Sequence, residues 1–399
     1  MPKVLRILNR FNVGGPTYNA VYLSKYLSPE FETLLIGGQI DASEESSLFI
    51  AKNEGLDPII IDEMKRSINF FADKKALKKI KDIMQDFKPD IVHTHASKAG
   101  VLGRKAAFDL HVPIVVHTFH GHVFHSYFNP LKTAVIKRIE RNLARKSDAI
   151  VAISDQQKFE LTKLHKICPD EKMHVIPLGF DLNKFIDKNG EKRKAFRSTY
   201  LVDDDEIVVS IVGRLVPVKN HSFFVEVVKK VLSKTNKKIR FFIVGDGEER
   251  ENIMQNLSSK GIDFCYWPSE QKRTTVTFTS WSKQVDVVNA GSDIIVLTSL
   301  NEGTPVSLIE AQAAGKAIVS TRTGGIDNIV LEGKSAFLTG VDEVDVFAEN
   351  LIQLVENENI RNEMSRSGTT FVMDNFSYNT LCTNMANLYH KLLAAKEHK

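Results

Sequence analysis

Short runs rich in β-branched residues alternate with longer amphipathic stretches along the whole 399-residue chain. Strand, helix and strand in regular succession predict parallel sheets with helices on both faces, so the predicted fold class is α/β with doubly wound parallel sheets. The predicted strands cover residues 4–8, 33–36, 59–61, 91–94, 114–118, 150–153, 175–177, 207–212, 241–244, 275–279, 294–298, 317–320 and 336–338. Helical patterns between the early strands cover residues 18–27, 70–87, 100–110 and 131–146.

The alternation stops at residues 179–194, where the sequence is polar, holds two glycines and shows no periodicity. We interpret this stretch as a linker between an N-terminal domain at 1–178 and a C-terminal domain at 195–376. Two domains also fit the length, at roughly 150 residues per domain. Doubly wound sheets bind ligands at the carboxyl ends of their strands, so we expect two domains that face each other across a cleft holding the active site.

Composition excludes several classes of protein. Hydrophobic residues make up 43% and charged residues 26%, which excludes disorder as the main state. A net charge of +4 is too small to indicate a nucleic acid as partner. The three cysteines lie far apart, without metal-ligand or disulfide spacing, and no run approaches the roughly 18 apolar residues of a membrane span. We therefore expect a cytoplasmic protein, with peripheral contact to the inner face of the membrane still open.

The most informative motif is SLNEGTPVSLIEAQAAG, at residues 299–315, which directly follows a predicted strand. Thr304 suits the N-cap of a helix and Pro305 suits its first position, where the missing N–H costs nothing. Gly315 suits the left-handed position that ends such a helix. The free N–H groups at the start of this helix favour an anion.

Two carboxylates of this motif, Glu302 and Glu310, lie in the loop and inside the helix. An anion site with two carboxylate acceptors suits a phosphorylated ligand rich in hydroxyl groups. The alternative is that both are solvated surface charges. Against it, Glu310 lies on a helix whose other residues are small or apolar, where an unpaired charge is costly.

Two cations, Arg214 and Lys219, lie in the loop VGRLVPVKN, which begins at Gly213 after another strand. Arginine provides a planar fork and lysine a point charge, and together they suit a diphosphate. Two solvated loop cations are the alternative.

A glycine pair, Gly14 and Gly15, lies between the first strand and the first helix, where the backbone could approach a phosphate closely. The segment lacks the full G-x-G-x-x-G spacing, which argues against a nicotinamide cofactor. A second glycine turn, at Gly245 and Gly247, is interpreted as structural.

Histidines follow two neighbouring strands. We expect no metal there, because no carboxylate is interleaved with them and no H-E-x-x-H pattern occurs. One or two histidines are expected to line the cleft as hydrogen-bond partners, with the others packing against aromatic residues. The histidines are His93, His95, His117, His120, His122 and His125, and the aromatic residues are Phe119, Phe124 and Tyr127.

A helix from Leu131 to Lys146 combines an apolar face with a basic one. The apolar face is Leu131, Val135, Ile136, Ile139 and Leu143, and the opposite face is Lys137, Arg138, Arg141 and Arg145, with Glu140 the only acid. The basic face is either solvated or in contact with anionic lipid head groups near a membrane-linked acceptor.

With these motifs in hand, the chain resembles family 4 of the retaining glycosyltransferases over nearly its whole length. The resemblance rests on GGPTYNA, VIPLGFDLNKF, VGRLVPVKN, VGDGEER and NEGTPVSLIEAQAAGKAIVSTRTGG. The last segment resembles the family's E-x7-E signature, with Glu302 and Glu310 as its two acids. The resemblance implies the GT-B fold of two Rossmann-like domains, with residues 377–399 crossing back onto the first domain.

The resemblance also implies roles at the C-terminal site. Glu310 would hold the nucleotide ribose, Glu302 would contact hydroxyls of the donor sugar, and Arg214 with Lys219 would bind the diphosphate. The backbone at Gly303, Thr304 and Pro305 would touch the sugar or phosphate.

In the N-terminal domain, the resemblance implies that Gly14 and Gly15 close over the diphosphate. His120 would contact the donor sugar, with His122 as a further candidate. Many members have glycine where this chain has Ser280, in a segment whose backbone often meets the base.

The predicted function is a retaining, metal-independent transfer of sugar from a nucleotide-sugar, taken to be a UDP-sugar, to a saccharide or lipid-linked saccharide. No cofactor is expected. In this hypothesis Arg214 and Lys219 stabilise the leaving nucleoside diphosphate. Two alternatives stay open: a non-hydrolysing sugar-nucleotide epimerase, and a catalytically silent protein that binds sugar nucleotides.

Overall fold

The computed structural model describes residues 1–12, 15–40, 46–65, 67, 69–121 and 130–397. The chain divides into two compact units. The N-terminal unit comprises Met1–Phe180 with Asn375–Lys399, and the C-terminal unit comprises Asp181–Asp374. The stretch 179–194 contains a 3-10 turn over Asn183–Phe185 and the start of a helix at Glu191.

The strands lie within a few residues of the predicted bounds. They are β1 Lys3–Leu8, β2 Glu32–Gly38, β3 Ile59–Ile61, β4 Ile91–His95, β5 Ile114–Phe119, β6 Ala149–Ala152, β7 Met173–Val175, β8 Ile207–Val212, β9 Ile239–Val244, β10 Phe264–Tyr266, β11 Val276–Ser280, β12 Ile294–Leu297, β13 Ala317–Thr321 and β14 Ala336–Thr339. β10 was not predicted, because none of its three residues is β-branched. β7 lies earlier than predicted, since Pro177 has no N–H to donate to a ladder.

The helices connect successive strands. They are α1 Gly15–Tyr26, α2 Leu48–Asn53, α3 Phe70–Phe87, α4 Ser97–Asp109, α5 Pro130–Lys146, α6 Asp155–Phe159, α7 Glu191–Thr199, α8 His221–Lys234, α9 Arg250–Ser259, α10 Val285–Gly291, α11 Val306–Ala313, α12 Val344–Glu356, α13 Glu358–Phe376 and α14 Tyr378–Glu397. A π turn, Glu160–Leu164, continues α6, and further 3-10 turns cover Asp170–Lys172, Pro217–Lys219 and Ile326–Asn328. None of the described helices combines the length and apolar character needed to cross a bilayer.

Within the described residues each unit is built on one seven-stranded parallel sheet. The strand order is β3-β2-β1-β4-β5-β6-β7 in the N-terminal unit and β10-β11-β9-β8-β12-β13-β14 in the C-terminal unit. These are two Rossmann-like doubly wound sheets, and the predicted fold class is confirmed.

Helices cover both faces of each sheet, and successive residues of one strand enter different cores. In the N-terminal unit Val4 packs against α1 and α14, where it meets Leu23 and Met385. Its neighbour Leu5 packs on the opposite face against α3 and α4. Arg6 has the same side-chain direction as Val4, and therefore points toward α14.

The orientation of α5 corrects the predicted amphipathic pattern. Glu140, expected on the exposed basic face, is buried and bonded to the buried guanidinium of Arg104 at 2.6 Å. Val135 and Ile139, expected in the core, are 52% and 43% exposed. The ion pair determines which face of α5 is buried, because Glu140 has to face the buried guanidinium of Arg104.

We expect Glu140→Gln to lower the free energy of unfolding by about 3 kcal/mol, because a buried charge left without its partner is strongly destabilising. Urea denaturation followed by circular dichroism measures the change. The control is Asp109→Asn, at a more exposed carboxylate paired with Lys81 and Lys105, which should cost under about 1 kcal/mol. Equal losses in the two variants would contradict a special role for the buried pair.

Candidate active site

The loop before α11 lies at the carboxyl end of β12. The helix begins at Val306 rather than at Pro305, so the predicted N-cap at Thr304 is wrong by one residue. Pro305 has an extended backbone, with ψ of 98°, and its carbonyl accepts the N–H of Leu308. The other end is as predicted: Gly315 is left-handed, with φ of +69°.

Lys219 and Glu302 contact each other. The Lys219 ammonium donates to Glu302 Oε1 at 2.5 Å, and the Ser299 hydroxyl donates to the same oxygen at 2.5 Å. Two further bonds tie the β8 and β12 loops together: Thr298 Oγ1 donates to the Lys219 carbonyl, and the Leu300 N–H donates to that of Val218. The predicted diphosphate-binding lysine is thus held by a predicted sugar-binding carboxylate.

Arg214 lies on the same loop as Lys219, with its side chain exposed and in no ion pair among the described residues. Beneath it, the Gly213 N–H donates to the Val244 carbonyl, and a Cβ on Gly245 would lie 1.9 Å from the Gly213 oxygen. Gly245 therefore allows the β8 and β9 loops to touch through their backbones, which is the structural role predicted for this glycine turn.

Glu310 is half-buried on α11, and its carboxylate accepts no hydrogen bond from the described residues. Burial raises the pKa of this carboxyl group from 4.5 to about 7; Lys184 opposes the shift and Asp286 adds to it. The sequence predicted that an unpaired charge at Glu310 is costly. The raised pKa is consistent with this cost, because burial disfavours the ionised form.

In the N-terminal unit His120 directly follows β5. It is half-buried, and its Nε2 lies 2.9 Å from Nδ1 of His95 at the end of β4. Burial lowers the pKa of His120 to about 3, so the ring is neutral at physiological pH. Gly15 begins α1, and a Cβ there would lie 3.1 Å from Leu178. Gly14 lies outside the described residues, as do His122, Phe124, His125 and Tyr127.

The described part of the chain holds no group of three His, Cys, Asp or Glu residues able to share a metal ion. Of the histidines at the strand ends, His93 contacts Arg6, Thr118 and Tyr389. His95 contacts Arg6 and His120, and His117 contacts Thr94. That the reaction needs neither metal nor cofactor stays a prediction.

Comparison with known proteins identifies the class of enzyme. Residues 20–184 match the family model described as Glycosyltransferase Family 4, and residues 192–371 match Glycosyl transferases group 1. The chain is 29% identical to the Escherichia coli UDP-Gal:alpha-D-GlcNAc-diphosphoundecaprenol alpha-1,3-galactosyltransferase, over 92% of this chain and 93% of that protein. It is 24% identical to the Staphylococcus aureus capsular polysaccharide biosynthesis glycosyltransferase CapM, over 84% and 86%. The chain is a GT-B glycosyltransferase.

The fold comparison agrees. Anabaena Alr3699/HepE, in complex with UDP, matches with a TM-score of 0.78 at 18% identity, covering 98% of this chain and 100% of that one. The Rickettsia africae glycosyltransferase matches with the same TM-score and identity, over 98% of each chain.

The predicted site residues of this glycosyltransferase divide between its two units. In the C-terminal unit the structure brings Lys219 to Glu302, with Arg214 on the lysine's loop and Glu310 about one turn into the helix that follows Glu302. Gly15 and His120 belong to the N-terminal unit.

Sequence reasoning missed the residues that support Glu302. Gly324 and Gly325 pack against its loop, since a Cβ on Gly324 would lie 1.7 Å from the Glu302 carbonyl and one on Gly325 would lie 2.0 Å from that of Gly303. The signal was present in the pair of glycines after β13. The Ser299 hydroxyl was also missed, because a serine at a strand end carries no distinctive pattern.

Ser280, the departure from the glycine common in the family, has a left-handed backbone with φ of +62°. Glycine adopts this conformation without strain, which explains its use there. In this glycosyltransferase the serine hydroxyl donates to Asp246 Oδ2 at 3.0 Å, and its carbonyl accepts the Gly245 N–H. These bonds offset the backbone cost.

We expect Glu310→Gln to stabilise the ligand-free enzyme by on the order of 2 kcal/mol at pH 8, and by less at pH 5. The folded state holds the Glu310 proton more tightly than the unfolded chain. Wild-type stability therefore falls as pH rises from 4.5 to about 7, and glutamine removes this loss. Urea denaturation at both pH values tests it.

The control is Glu349→Gln, at an exposed carboxylate of the same unit. A Glu310→Gln effect that is identical at pH 5 and pH 8 would contradict the raised pKa.

Proposed function

We propose that this glycosyltransferase moves a sugar from a UDP-sugar to a saccharide carried on a lipid diphosphate, with retention of the anomeric configuration and without a metal. The observation that carries the proposal is the cluster of Lys219, Glu302 and Ser299 beside Arg214 and the start of α11. It combines cations, free N–H groups and carboxylates, as a sugar diphosphate requires.

The choice of UDP is supported by relatives. The E. coli protein uses UDP-Gal, and Anabaena HepE has been crystallised with UDP and with UDP-glucose. The E. coli protein's name also gives the acceptor class, a GlcNAc on diphosphoundecaprenol.

The role proposed for each residue of the C-terminal unit follows from its charge. Arg214 and Lys219 bind the diphosphate, aided by Gly303, Thr304 and Pro305 at the start of α11. Glu302 accepts hydrogen bonds from hydroxyls of the donor sugar, and Glu310 accepts them from the ribose. For His120, Gly14 and Gly15 of the N-terminal unit, contact with the donor stays a prediction from the family resemblance.

The Lys219–Glu302 bond gives the ligand-free enzyme a neutral pair rather than two isolated charges. Lys219 can share its remaining protons with a phosphate oxygen while Glu302 keeps it in place. This arrangement positions the cation before the leaving group departs, which is what electrostatic stabilisation of a transition state requires.

In the reaction, the bond between the sugar C1 and the phosphate oxygen breaks, and the electron pair leaves with UDP. The sugar passes through an oxocarbenium-like state. The acceptor oxygen attacks C1 on the same face, and its proton passes to the departing phosphate oxygen. Arg214 and Lys219 supply the positive charge at the leaving group, so we propose that activity persists in EDTA.

The exposed part of α5 suits a membrane-bound acceptor. Val135 and Ile139 lie one turn apart and are both exposed, with the exposed cations Arg138 and Arg145 on the same helix. Apolar side chains beside cations suit an anionic lipid surface, where each cation adds about 1 kcal/mol. We propose that α5 holds the enzyme at the cytoplasmic face of the membrane.

We expect Lys219→Ala to lower kcat by about 100-fold or more, because it removes charge stabilisation at the leaving group, and to weaken UDP-sugar binding much less. UDP release from UDP-galactose, with α-GlcNAc diphosphate on a short lipid as acceptor, measures kcat, and calorimetry measures the Kd. The control is Lys230→Ala, at an exposed lysine bonded to Asp345.

Other outcomes separate the alternatives. A loss of affinity with unchanged kcat would contradict the role of Lys219. An inverted product, read from its anomeric proton coupling, would contradict retention. Epimerised donor without acceptor would indicate the epimerase, and binding without turnover in any donor and acceptor pair would indicate the silent protein.

We expect the double variant Val135→Ser/Ile139→Ser to bind vesicles containing anionic lipid several-fold more weakly than wild type, because it removes the inserting apolar area. Co-sedimentation at low and high salt measures binding. The control is Leu232→Ser, at an exposed leucine of the C-terminal unit. Equal binding of all three proteins, or no dependence on anionic lipid, would contradict membrane contact through α5.

A further inference from the structure

The N-terminal unit buries a cation without a carboxylate partner. Arg6, on β1, is fully buried, and no ion pair to it occurs among the described residues. Its partners are hydroxyls and imidazoles: Ser24 Oγ at 3.2 Å, His93 Nδ1 at 3.0 Å, His95 Nε2 at 3.4 Å and Tyr389 Oη at 3.2 Å. A buried charge without an opposite charge beside it is costly, which suggests that Arg6 has a specific role.

The guanidinium determines which nitrogen of each ring carries the proton. Arginine has donors only and stays protonated in proteins, so His95 Nε2 must present its lone pair to it. In a neutral ring the proton of His95 then lies on Nδ1. Burial lowers the pKa of His93 and of His95 well below 6.5, which keeps both rings neutral.

The same logic continues to His120. Nδ1 of His95 lies 2.9 Å from Nε2 of His120, and since the former donates, the latter accepts. The proton of His120 therefore lies on Nδ1. This buried Nδ1 has no hydrogen-bond partner among the described residues. An unpartnered buried donor is costly, and a hydrogen bond to a ligand oxygen would remove that cost.

We propose that Arg6 is a positioning residue that acts through His95 and makes His120 a hydrogen-bond donor toward the ligand. His120 then donates from Nδ1 to an oxygen of the donor sugar, and it does not serve as a base. The identity of that ligand rests on the proposed function; the proton arrangement in the free enzyme does not.

The sign of the charge at residue 6 is the decisive feature. A carboxylate there would accept from His95 Nε2, leave His95 Nδ1 bare, and draw the proton of His120 onto Nε2. Nδ1 of His120 would then be an acceptor. A buried arginine is thus the choice that supplies a donor at His120.

Tyr389 of α14 provides an internal comparison. Its hydroxyl lies 2.6 Å from His93 Nδ1, the nitrogen that also faces Arg6, and His93 Nε2 lies 2.7 Å from Thr118 Oγ1. His93 therefore carries its proton on Nε2, opposite to His95. Removing the Tyr389 hydroxyl disturbs the cluster while leaving the Arg6–His95–His120 chain intact.

The experiment is imidazole nitrogen NMR on the free enzyme labelled with 15N-histidine at pH 7, with His120→Gln used to assign the His120 resonances. We expect Nδ1–H forms for His95 and His120, and an Nε2–H form for His93. Arg6→Met and His95→Leu should release His120 to a mixture of forms. His95→Asn, whose amide can still donate to His120, and the control Tyr389→Phe should both preserve Nδ1–H.

Activity provides a second measurement. Losing one hydrogen bond to the sugar should lower kcat about tenfold in Arg6→Met and His95→Leu. Tyr389→Phe and His95→Asn should stay near wild type, and the Kd for UDP should change in none of them. A purely structural role for Arg6 would instead lower stability without separating His95→Leu from His95→Asn.

Two results would overturn the proposal: an Nε2–H form of His120 in the wild type, or an Nδ1–H form that persists in both Arg6→Met and His95→Leu. If Arg6→Met does not fold, the two His95 variants decide. The expected tautomers without sugar transfer from any donor would refute the proposed function and leave the positioning role intact.

Discussion

In a parallel sheet neighbouring strands run in the same direction, and this constraint brings together candidate side chains that are far apart in sequence. β8 and β12 are neighbours in the C-terminal sheet, so Lys219 and Glu302 meet although they are 83 residues apart in sequence. β1, β4 and β5 are neighbours in the N-terminal sheet, so Arg6, His95 and His120 form one chain of contacts. In both units the residues meet because their strands are neighbours in a parallel sheet.

The two sheets handle buried charge in different ways. The C-terminal unit neutralises Lys219 with a carboxylate, and a charge-assisted bond of this kind is strong and short. The N-terminal unit gives Nε and Nη1 of Arg6 neutral partners and leaves Nη2 without one among the described residues, so the charge is not cancelled. The ion pair holds the Lys219 ammonium in a fixed position where it can bind an anion. The guanidinium of Arg6, which has no carboxylate beside it, instead polarises the imidazole rings of His93 and His95. The first arrangement suits a diphosphate, and the second suits the orientation of a neutral hydrogen bond.

Much of the fold and part of the site were predictable from sequence, because they depend on local pattern. The β-branched runs located thirteen of the strands in the described residues, and Gly315 ended its helix where expected. The exposed face of α5 was not predictable, since it depends on the buried partner of Glu140, 36 residues earlier. The role of Arg6 was hidden for the same reason, because Tyr389 lies 383 residues away and hydrophobic periodicity does not show which side chains meet.

In each unit, one polar group of a predicted site residue has no hydrogen-bond partner among the described residues. The Glu310 carboxylate lacks a donor among the described residues and its pKa is raised, while Nδ1 of His120 lacks an acceptor there. Neither arrangement favours the ligand-free fold, since desolvated polar groups cost free energy when their hydrogen bonds are unmade. A ligand hydroxyl can donate to the Glu310 carboxylate, and a ligand oxygen can accept from Nδ1 of His120. Such hydrogen bonds would remove the cost of the two unpartnered groups and so contribute to the affinity for the ligand. Through the linkage between binding and folding, the bound ligand would also stabilise the folded enzyme.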